Sequence, residues 1–94
     1  VFGDMYELGD KSIEQHKLIG EKCTNLNFDG VFTIGNETIN TNSAIDKSIM
    51  HEHFQSREEM IIFLRNFIES GDIVLFKGSR LMKMENIIDG VFTI

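Results

Sequence analysis

The sequence lacks the means to cross-link itself and to cross a membrane. It contains one cysteine, Cys23, so an internal disulfide is impossible, and the position of Cys23 in a predicted helix is typical of a small buried hydrophobe in a reducing compartment. No apolar run approaches the roughly 20 residues that a membrane helix needs, and no signal segment opens the chain. We therefore expect a cytoplasmic chain with no membrane insertion.

Positive charge is also scarce. Nine basic residues stand against fifteen acidic ones, for a net charge of −6, and the basic residues form no continuous stripe. A nucleic-acid backbone or an anionic membrane is a poor partner for such a chain. The sequence also has no G-x-x-x-x-G-K-[S/T] run, so any ATP site must come largely from elsewhere.

What the chain does contain suits one small globular domain over residues 1–94. The hydrophobic content is 41%, there are eight phenylalanines, and no segment is of low complexity. The first residues, Val1 and Phe2, already resemble part of a strand, and no initiator methionine precedes them. We therefore expect a fragment or excised domain of a longer protein.

Strand-like and helix-like segments alternate along the sequence. The predicted strands lie at the start of the chain, at 28–34, at 49–54 and at 73–76; the predicted helices lie at 12–24, within 36–48, from 56 to about 68, and from 79 onward. This alternation predicts an α/β fold with an open, mainly parallel sheet and right-handed crossovers.

Serine residues mark the predicted helix starts. Ser12 with Gln15, and Ser56 with Glu59, match the capping-box pattern, and Ser79 is placed to cap the last helix. The second of these helices has the clearest apolar face in the chain.

Two further features bear on the sheet. Gly71 is placed to take the left-handed conformation that ends a helix, and the all-apolar run 73–76 is typical of a central strand covered on both faces. The segment Asp-Gly-Val-Phe-Thr-Ile occurs twice, at 29–34 and at 89–94. A single recurrence does not support a repeat architecture, and the second copy could form an added edge strand.

The turn Lys77-Gly78-Ser79-Arg80 is the first candidate site. It combines two cations, a glycine that lets a ligand approach the backbone, and a hydroxyl at a predicted helix start, where free N–H groups favour an anion. A carboxylate or a phosphate fits such a turn. The alternative is that Ser79 only caps the helix and that Lys77 and Arg80 are solvated.

The turn after the first strand is the second candidate. Asp4 and Glu7 flank Met5 and Tyr6 and could hold an ammonium group, a ribose hydroxyl or a metal-bound water, although an aspartate in a tight turn commonly bonds its own backbone. In a parallel sheet this turn and the turn around Gly78 lie on the same edge, outside the carboxyl ends of the strands, where open α/β sheets bind ligands.

The histidines are weaker candidates. His51 and His53 point to one face of a predicted strand and form a possible pair of zinc ligands, but no cysteine or suitably spaced carboxylate completes a ligand set. We therefore predict no metal site, and we interpret His16 as a packed or hydrogen-bonded residue of its helix.

As a string, residues 1–9 with Ser12 and His16 resemble the G-D-M-x-E-L-G-x-x-S-x-x-x-H signature of D-alanyl-D-alanine-adding Mur ligases. Residues 71–85 resemble that family's G-D-x-V-L-x-K-G-S-R-x-M-x-M-E segment, in the same order along the chain. The resemblance extends over nearly the whole sequence and implies a Rossmann-like C-terminal domain, with helices on both faces of a sheet that lacks its first strand.

The resemblance also implies a reaction. Such ligases use ATP and magnesium to form an acyl phosphate on UDP-N-acetylmuramoyl-tripeptide, which the amine of D-alanyl-D-alanine attacks. ATP and magnesium would be bound mainly by other domains, in particular the central ATPase domain of the same chain.

For individual residues, the resemblance implies that Lys77, Gly78, Ser79 and Arg80 hold the dipeptide, and that Asp4 and Met5 line the facing lip. No residue of this chain is implied as catalytic, and the isolated chain should be inactive. The alternative is a non-catalytic α/β module that binds a small anion or a protein partner at the same crevice.

Overall fold

The computed structural model describes residues 1–93 as an open α/β structure, which confirms the predicted fold class. Three parallel strands form a sheet in the order β1 (Phe2–Gly3), β2 (Gly30–Ile34) and β3 (Met50–Phe54). The four helices of residues 1–93 are α1 (Ser12–Asn25), α2 (Ile39–Ser43), α3 (Arg57–Phe67) and α4 (Met84–Phe92). None of these helices combines the length and the apolar character needed to cross a bilayer.

The helices cover both faces of the sheet because successive side chains of a strand point to opposite faces. Val31 of β2 lies in a core with Cys23 of α1, whereas Phe32 lies in a core with Leu64 of α3 and Ile87 of α4. The side chain of Cys23 is 2% exposed and that of His16 is 1% exposed, which confirms that Cys23 is buried and that His16 is packed in the interior.

The prediction that 73–76 forms a central strand is wrong. This segment runs extended along the open side of β1, and its one bridge pairs Lys77 with Phe2 in parallel. Backbone bonds tie it to residues 1–3: the Val1 amino group donates to Leu75 O at 2.8 Å, Lys77 N–H donates to Val1 O at 2.9 Å, and Gly3 N–H donates to Lys77 O at 2.8 Å. Ile73 is completely exposed because, within residues 1–93, only one face of this edge is covered.

The second copy of the repeated hexapeptide is helical, so the prediction of an added edge strand is wrong for residues 89–92; Ile94 lies outside the described residues. The first copy contributes β2 at the centre of the sheet. The two copies have the same residues but different conformations. Their surroundings in the fold differ, and tertiary packing overrides a weak local preference for helix or strand.

The helix boundaries confirm one of the predicted caps. The Ser56 hydroxyl accepts the Glu59 N–H at 3.3 Å, as the capping-box pattern predicts. Ser12 does not cap α1, because a 3₁₀ turn over Gly9–Lys11 leads directly into the helix and leaves no extended capping residue. Gly71 does have φ of +96°, but in a turn four residues beyond the end of α3, so its predicted role as the helix terminator is wrong.

Candidate functional site

Loops from four neighbouring segments meet beyond the carboxyl ends of the strands. They follow β1 at Asp4, β2 at Gly35, β3 at Gln55, and the edge segment at Gly78. The predicted pairing of the Asp4 turn with the Gly78 turn is therefore observed, because both segments run parallel on adjacent lines of the sheet.

Asp4 is the structural centre of this edge. Its side chain is 2% exposed, and its carboxylate accepts three backbone N–H groups, from Asn36 at 2.9 Å, Glu37 at 3.0 Å and Thr38 at 2.8 Å. Charge-assisted bonds of this kind fix the loop after β2 in place. The carboxylate therefore points into the protein, and the resemblance-based role of Asp4 as a lip for substrate stays a prediction.

Gly35 makes room for that carboxylate. Its φ is +122°, and a side-chain Cβ at this position would overlap Asp4 Oδ1. Only glycine adopts such a conformation readily and allows so close an approach.

The two turns are bonded to each other through Ser79. The Ser79 N–H donates to Asp4 O at 2.9 Å, and the Ser79 hydroxyl accepts the Tyr6 N–H at 2.7 Å. Ser79 makes no side-chain cap, so its predicted capping role is wrong; a 3₁₀ turn, Arg80–Met82, separates it from α4. Because Oγ accepts, the hydroxyl proton remains to be donated, and no acceptor for it lies among the residues described.

Glycines allow the same two turns to approach closely. A Cβ on Gly78 would lie 3.2 Å from the Cα of Gly3, and a Cβ on Gly3 would lie 2.7 Å from the Met84 sulfur. Gly78 therefore allows the two turns to pack against each other in this structure. The sequence alone predicts only that this glycine lets a ligand approach the backbone.

Two further contacts hold the turn at 80–82. The Tyr6 hydroxyl donates to the Met82 sulfur at 3.0 Å, and the Arg57 guanidinium donates to the Met82 carbonyl at 3.4 Å. Arg57 is the first residue of α3, so this bond links the loop after β3 to the loop after the edge segment.

His16 of α1 holds the turn after β1 through a hydrogen bond to its backbone. It is almost completely buried on α1, its Nε2 accepts the Met5 N–H at 3.1 Å, and its Nδ1 lies 2.7 Å from the Ser12 carbonyl. Because a carbonyl only accepts, Nδ1 carries the proton, which leaves Nε2 as the acceptor.

Several basic residues lie at or near this edge, although the chain as a whole is acidic. Lys77 and Arg80 flank the Gly78–Ser79 turn, Arg57 is the first residue of α3, and Lys83 directly precedes α4. Acidic residues lie at this edge as well, with Glu7 in the loop after β1 and Glu37 in the loop after β2. Lys77 and Arg80 are exposed, so their charges are available to an incoming anion.

The two histidines of β3 have hydrogen-bond partners within the protein. His53 is half-buried against the Thr33 hydroxyl at 2.8 Å; burial lowers its pKa, and the nearby Gly35 backbone and Asp4 carboxylate oppose that shift. His51 bonds the Ile49 carbonyl at 2.7 Å. Across residues 1–93, no group of three or more histidine, cysteine, aspartate or glutamate side chains could hold a metal ion.

The environment of Cys23 does not favour a reactive thiolate. Burial raises the pKa of its thiol, and the charged amino terminus opposes that shift. Because the thiolate is the reactive form, the buried thiol is inert.

The structure thus brings Asp4, Met5, Gly78 and Ser79 together and leaves Lys77 and Arg80 exposed beside them. Sequence reasoning missed the parts that Tyr6 and Arg57 play, and it predicted a packed or hydrogen-bonded His16 without identifying the Met5 N–H as its partner. His16 carried a usable signal, because a histidine four residues after Ser12 can bond back along a helix; Tyr6 and Arg57 carried none.

A family model described as "Mur ligase, glutamate ligase domain" matches residues 1–80. Among curated relatives, the UDP-N-acetylmuramoyl-tripeptide--D-alanyl-D-alanine ligase of Haemophilus influenzae is 38% identical over 92 residues, which are 92% of this chain and 19% of that protein. The ligase of the same name from Bacillus subtilis is 32% identical over 91 residues, 94% of this chain and 20% of the relative. The chain spans about a fifth of the length of these relatives.

Solved structures agree with the sequence relatives. A crystal structure of MurF from Acinetobacter baumannii superposes with a TM-score of 0.81 at 30% identity, covering 96% of this chain and 20% of that one. Because the family model matches most of the chain and the fold superposes on a solved relative, this chain belongs to the Mur ligase family, as its C-terminal, glutamate ligase domain.

Proposed function

We propose that this chain is the dipeptide-binding part of an ATP-dependent ligase that adds D-alanyl-D-alanine to UDP-N-acetylmuramoyl-tripeptide, a precursor of peptidoglycan. The curated relatives that carry this name support the reaction. The site residues are our own assignment: Lys77, Gly78, Ser79 and Arg80 bind the dipeptide, and Asp4 and Met5 form the opposite turn.

One observation carries the assignment of the site. Ser79 is fixed by two bonds to the Asp4–Tyr6 turn, yet it keeps a hydroxyl proton to donate, and the exposed cations of Lys77 and Arg80 flank it. A carboxylate accepts from such a hydroxyl and from a guanidinium, and charge-assisted bonds of this kind are roughly twice as strong as neutral ones. The carboxylate of D-alanyl-D-alanine is the group that fits.

Binding by the carboxylate leaves the amine of the dipeptide free to react. Holding the amine toward the activated carboxyl of the tripeptide makes their encounter effectively intramolecular. The chain's contribution is therefore to bind and orient, and none of its residues is assigned to bond making.

ATP and magnesium belong to other parts of the longer protein in this proposal. The sequence has no G-x-x-x-x-G-K-[S/T] motif to hold the phosphates of ATP, and residues 1–93 offer no group of three or more metal ligands, so the residues present do not fit a complete site for either group. ATP supplies the activation of the tripeptide carboxyl, and the central ATPase domain and the tripeptide substrate are the partners of this edge. We place the reaction in the cytoplasm.

The test is steady-state kinetics of the full-length ligase with Ser79→Ala and Arg80→Ala. Each change removes one bond to a charged group, about 1.5 to 3 kcal/mol, so the KM for D-alanyl-D-alanine should rise roughly 10- to 150-fold while the KM for ATP stays within about twofold. Ser70→Ala and Arg65→Ala, exposed residues away from this edge, serve as matched controls.

The opposite results are equally clear. A rise confined to the KM for ATP would overturn the site assignment. A full-length protein with no ATP turnover in the presence of both substrates would favour the non-catalytic module that binds a small anion.

A further inference from the structure

We propose that His16 is a positioning residue for Ser79, acting through the peptide group that joins Asp4 to Met5. The proposal rests on the function proposed above, in which Ser79 binds the carboxylate of the dipeptide.

The first step is the state of the imidazole. Its Nδ1–H donates to the Ser12 carbonyl at 2.7 Å, one turn earlier in α1, and this bond fixes both the ring orientation and the tautomer. The lone pair of Nε2 is thereby aimed at the Met5 N–H, 3.1 Å away.

The second step is that one rigid unit joins His16 to Ser79. The Met5 N–H and the Asp4 carbonyl belong to the same peptide group, which is planar. The N–H end bonds His16, and the carbonyl end accepts the Ser79 N–H at 2.9 Å. The next N–H along the chain, that of Tyr6, bonds the Ser79 hydroxyl at 2.7 Å.

The consequence concerns the donor that faces the ligand. Without an acceptor at the Nε2 position, the Asp4–Met5 peptide is free to rotate toward another partner, and both bonds that orient Ser79 change with it. A misplaced donor weakens binding of the dipeptide carboxylate without touching the nucleotide. His16 itself is buried at 1% exposure and does not reach the ligand.

The experiment compares three variants of the full-length ligase. His16→Leu removes the acceptor; His16→Gln keeps an amide oxygen near the Nε2 position; Cys23→Ala perturbs the buried face of the same helix without touching the turn. We expect His16→Leu to raise the KM for D-alanyl-D-alanine about tenfold with the KM for ATP within twofold, His16→Gln to recover most of the loss, and Cys23→Ala to leave both constants unchanged.

A second readout does not depend on activity. Hydrogen–deuterium exchange over residues 77–82 should be about tenfold faster in His16→Leu than in the parent enzyme, and near the parent rate in His16→Gln. Unchanged exchange there, an equal rise in both KM values, or the same KM shift in Cys23→Ala would overturn the positioning role. A parent enzyme with no dipeptide-dependent turnover, but with exchange that responds to His16→Leu, would instead overturn the proposed function and leave the coupling between His16 and Ser79 standing.

Discussion

At Gly35, a substitution that adds a single methyl group would destabilise the fold in two separate ways. Its φ of +122° strains any other residue, and a Cβ would displace the Asp4 carboxylate from its three backbone partners. The first cost is about 1 to 3 kcal/mol, and loss of a bond to a charged group adds about 1.5 to 3 kcal/mol.

We therefore expect Gly35→Ala to lower the free energy of unfolding by about 2.5 to 6 kcal/mol in urea titrations of the 94-residue chain. The matched control is Gly9→Ala, where φ is +56° and nothing lies within 4 Å of the added carbon. Its cost should be only the backbone strain of about 1 to 2 kcal/mol. Equal costs at the two glycines would contradict the role of Gly35 in making room for Asp4.

His53 makes the stability depend on pH. Burial lowers the pKa of His53 below its usual 6.5, so the folded state disfavours the protonated ring. Above pH 6.5 the ring is neutral in both states and its contribution is fully present. As the pH falls through 6.5 the unfolded chain takes up a proton first, so stability is lost until the folded pKa is passed.

The measurement is the urea midpoint between pH 8 and pH 5 for the parent chain and for His53→Asn, whose amide can still bond the Thr33 hydroxyl. The parent should lose more stability below pH 6.5 than the variant. The difference between the two is the quantity to use, because the buried amino group of Val1, with a pKa lowered to about 6, titrates in the same range. Parallel curves would contradict the assignment to His53.

At the scale of whole elements, the repeated hexapeptide provides an internal comparison. Phe32, in β2, is 4% exposed and packs against Phe63 and Phe67 with ring centroids 4.9 Å away in each case. Phe92, the same position of the second copy, ends α4 and is 55% exposed.

We expect Phe32→Ala to lower the free energy of unfolding by about 3 to 5 kcal/mol, the usual cost of emptying a buried aromatic site. Phe92→Ala should cost less than about 1 kcal/mol, because an exposed side chain leaves no cavity. Both variants have the same neighbours in sequence, so urea titration of the pair isolates tertiary context. Similar costs would contradict the placement of the two copies.

The elements also show why some boundaries follow from sequence and others do not. The cap at Ser56 was predictable because its partner, Glu59, is three residues away, and it forms because the backbone of Ser56 itself is extended. The same pattern at Ser12 failed because Gly9–Lys11 already turns as a 3₁₀ segment. The apolar run 73–76 indicated an extended segment correctly, but its position at the edge depends on strands far away in sequence.

At the scale of the whole molecule, the chain spans about a fifth of the length of its curated relatives, and the edge around Ser79 is only part of the proposed active site. The isolated chain should therefore show no ATP turnover with the tripeptide and dipeptide substrates. Added in trans to a ligase truncated before residue 1, it should restore some ligation, measured as phosphate release that depends on D-alanyl-D-alanine.

The Ser79→Ala chain is the control for that complementation, because it should fold and yet rescue less at low dipeptide concentration. No rescue by a folded parent chain would count against a binding role that is separable from the rest of the enzyme.

The sequence by itself determined the alternation of strands and helices, the parallel sheet, and the placement of two glycine turns on one edge. These features depend on residue periodicity and on connections between neighbouring elements, which are local. Only the tertiary structure decided which polar groups are bonded inside the protein and which remain open at the edge. Asp4 turns inward to residues 36–38, Ser79 is held by Tyr6, and the Met5 N–H is held by His16. Each of these bonds joins residues from different segments, and it forms only once the sheet has brought those segments together.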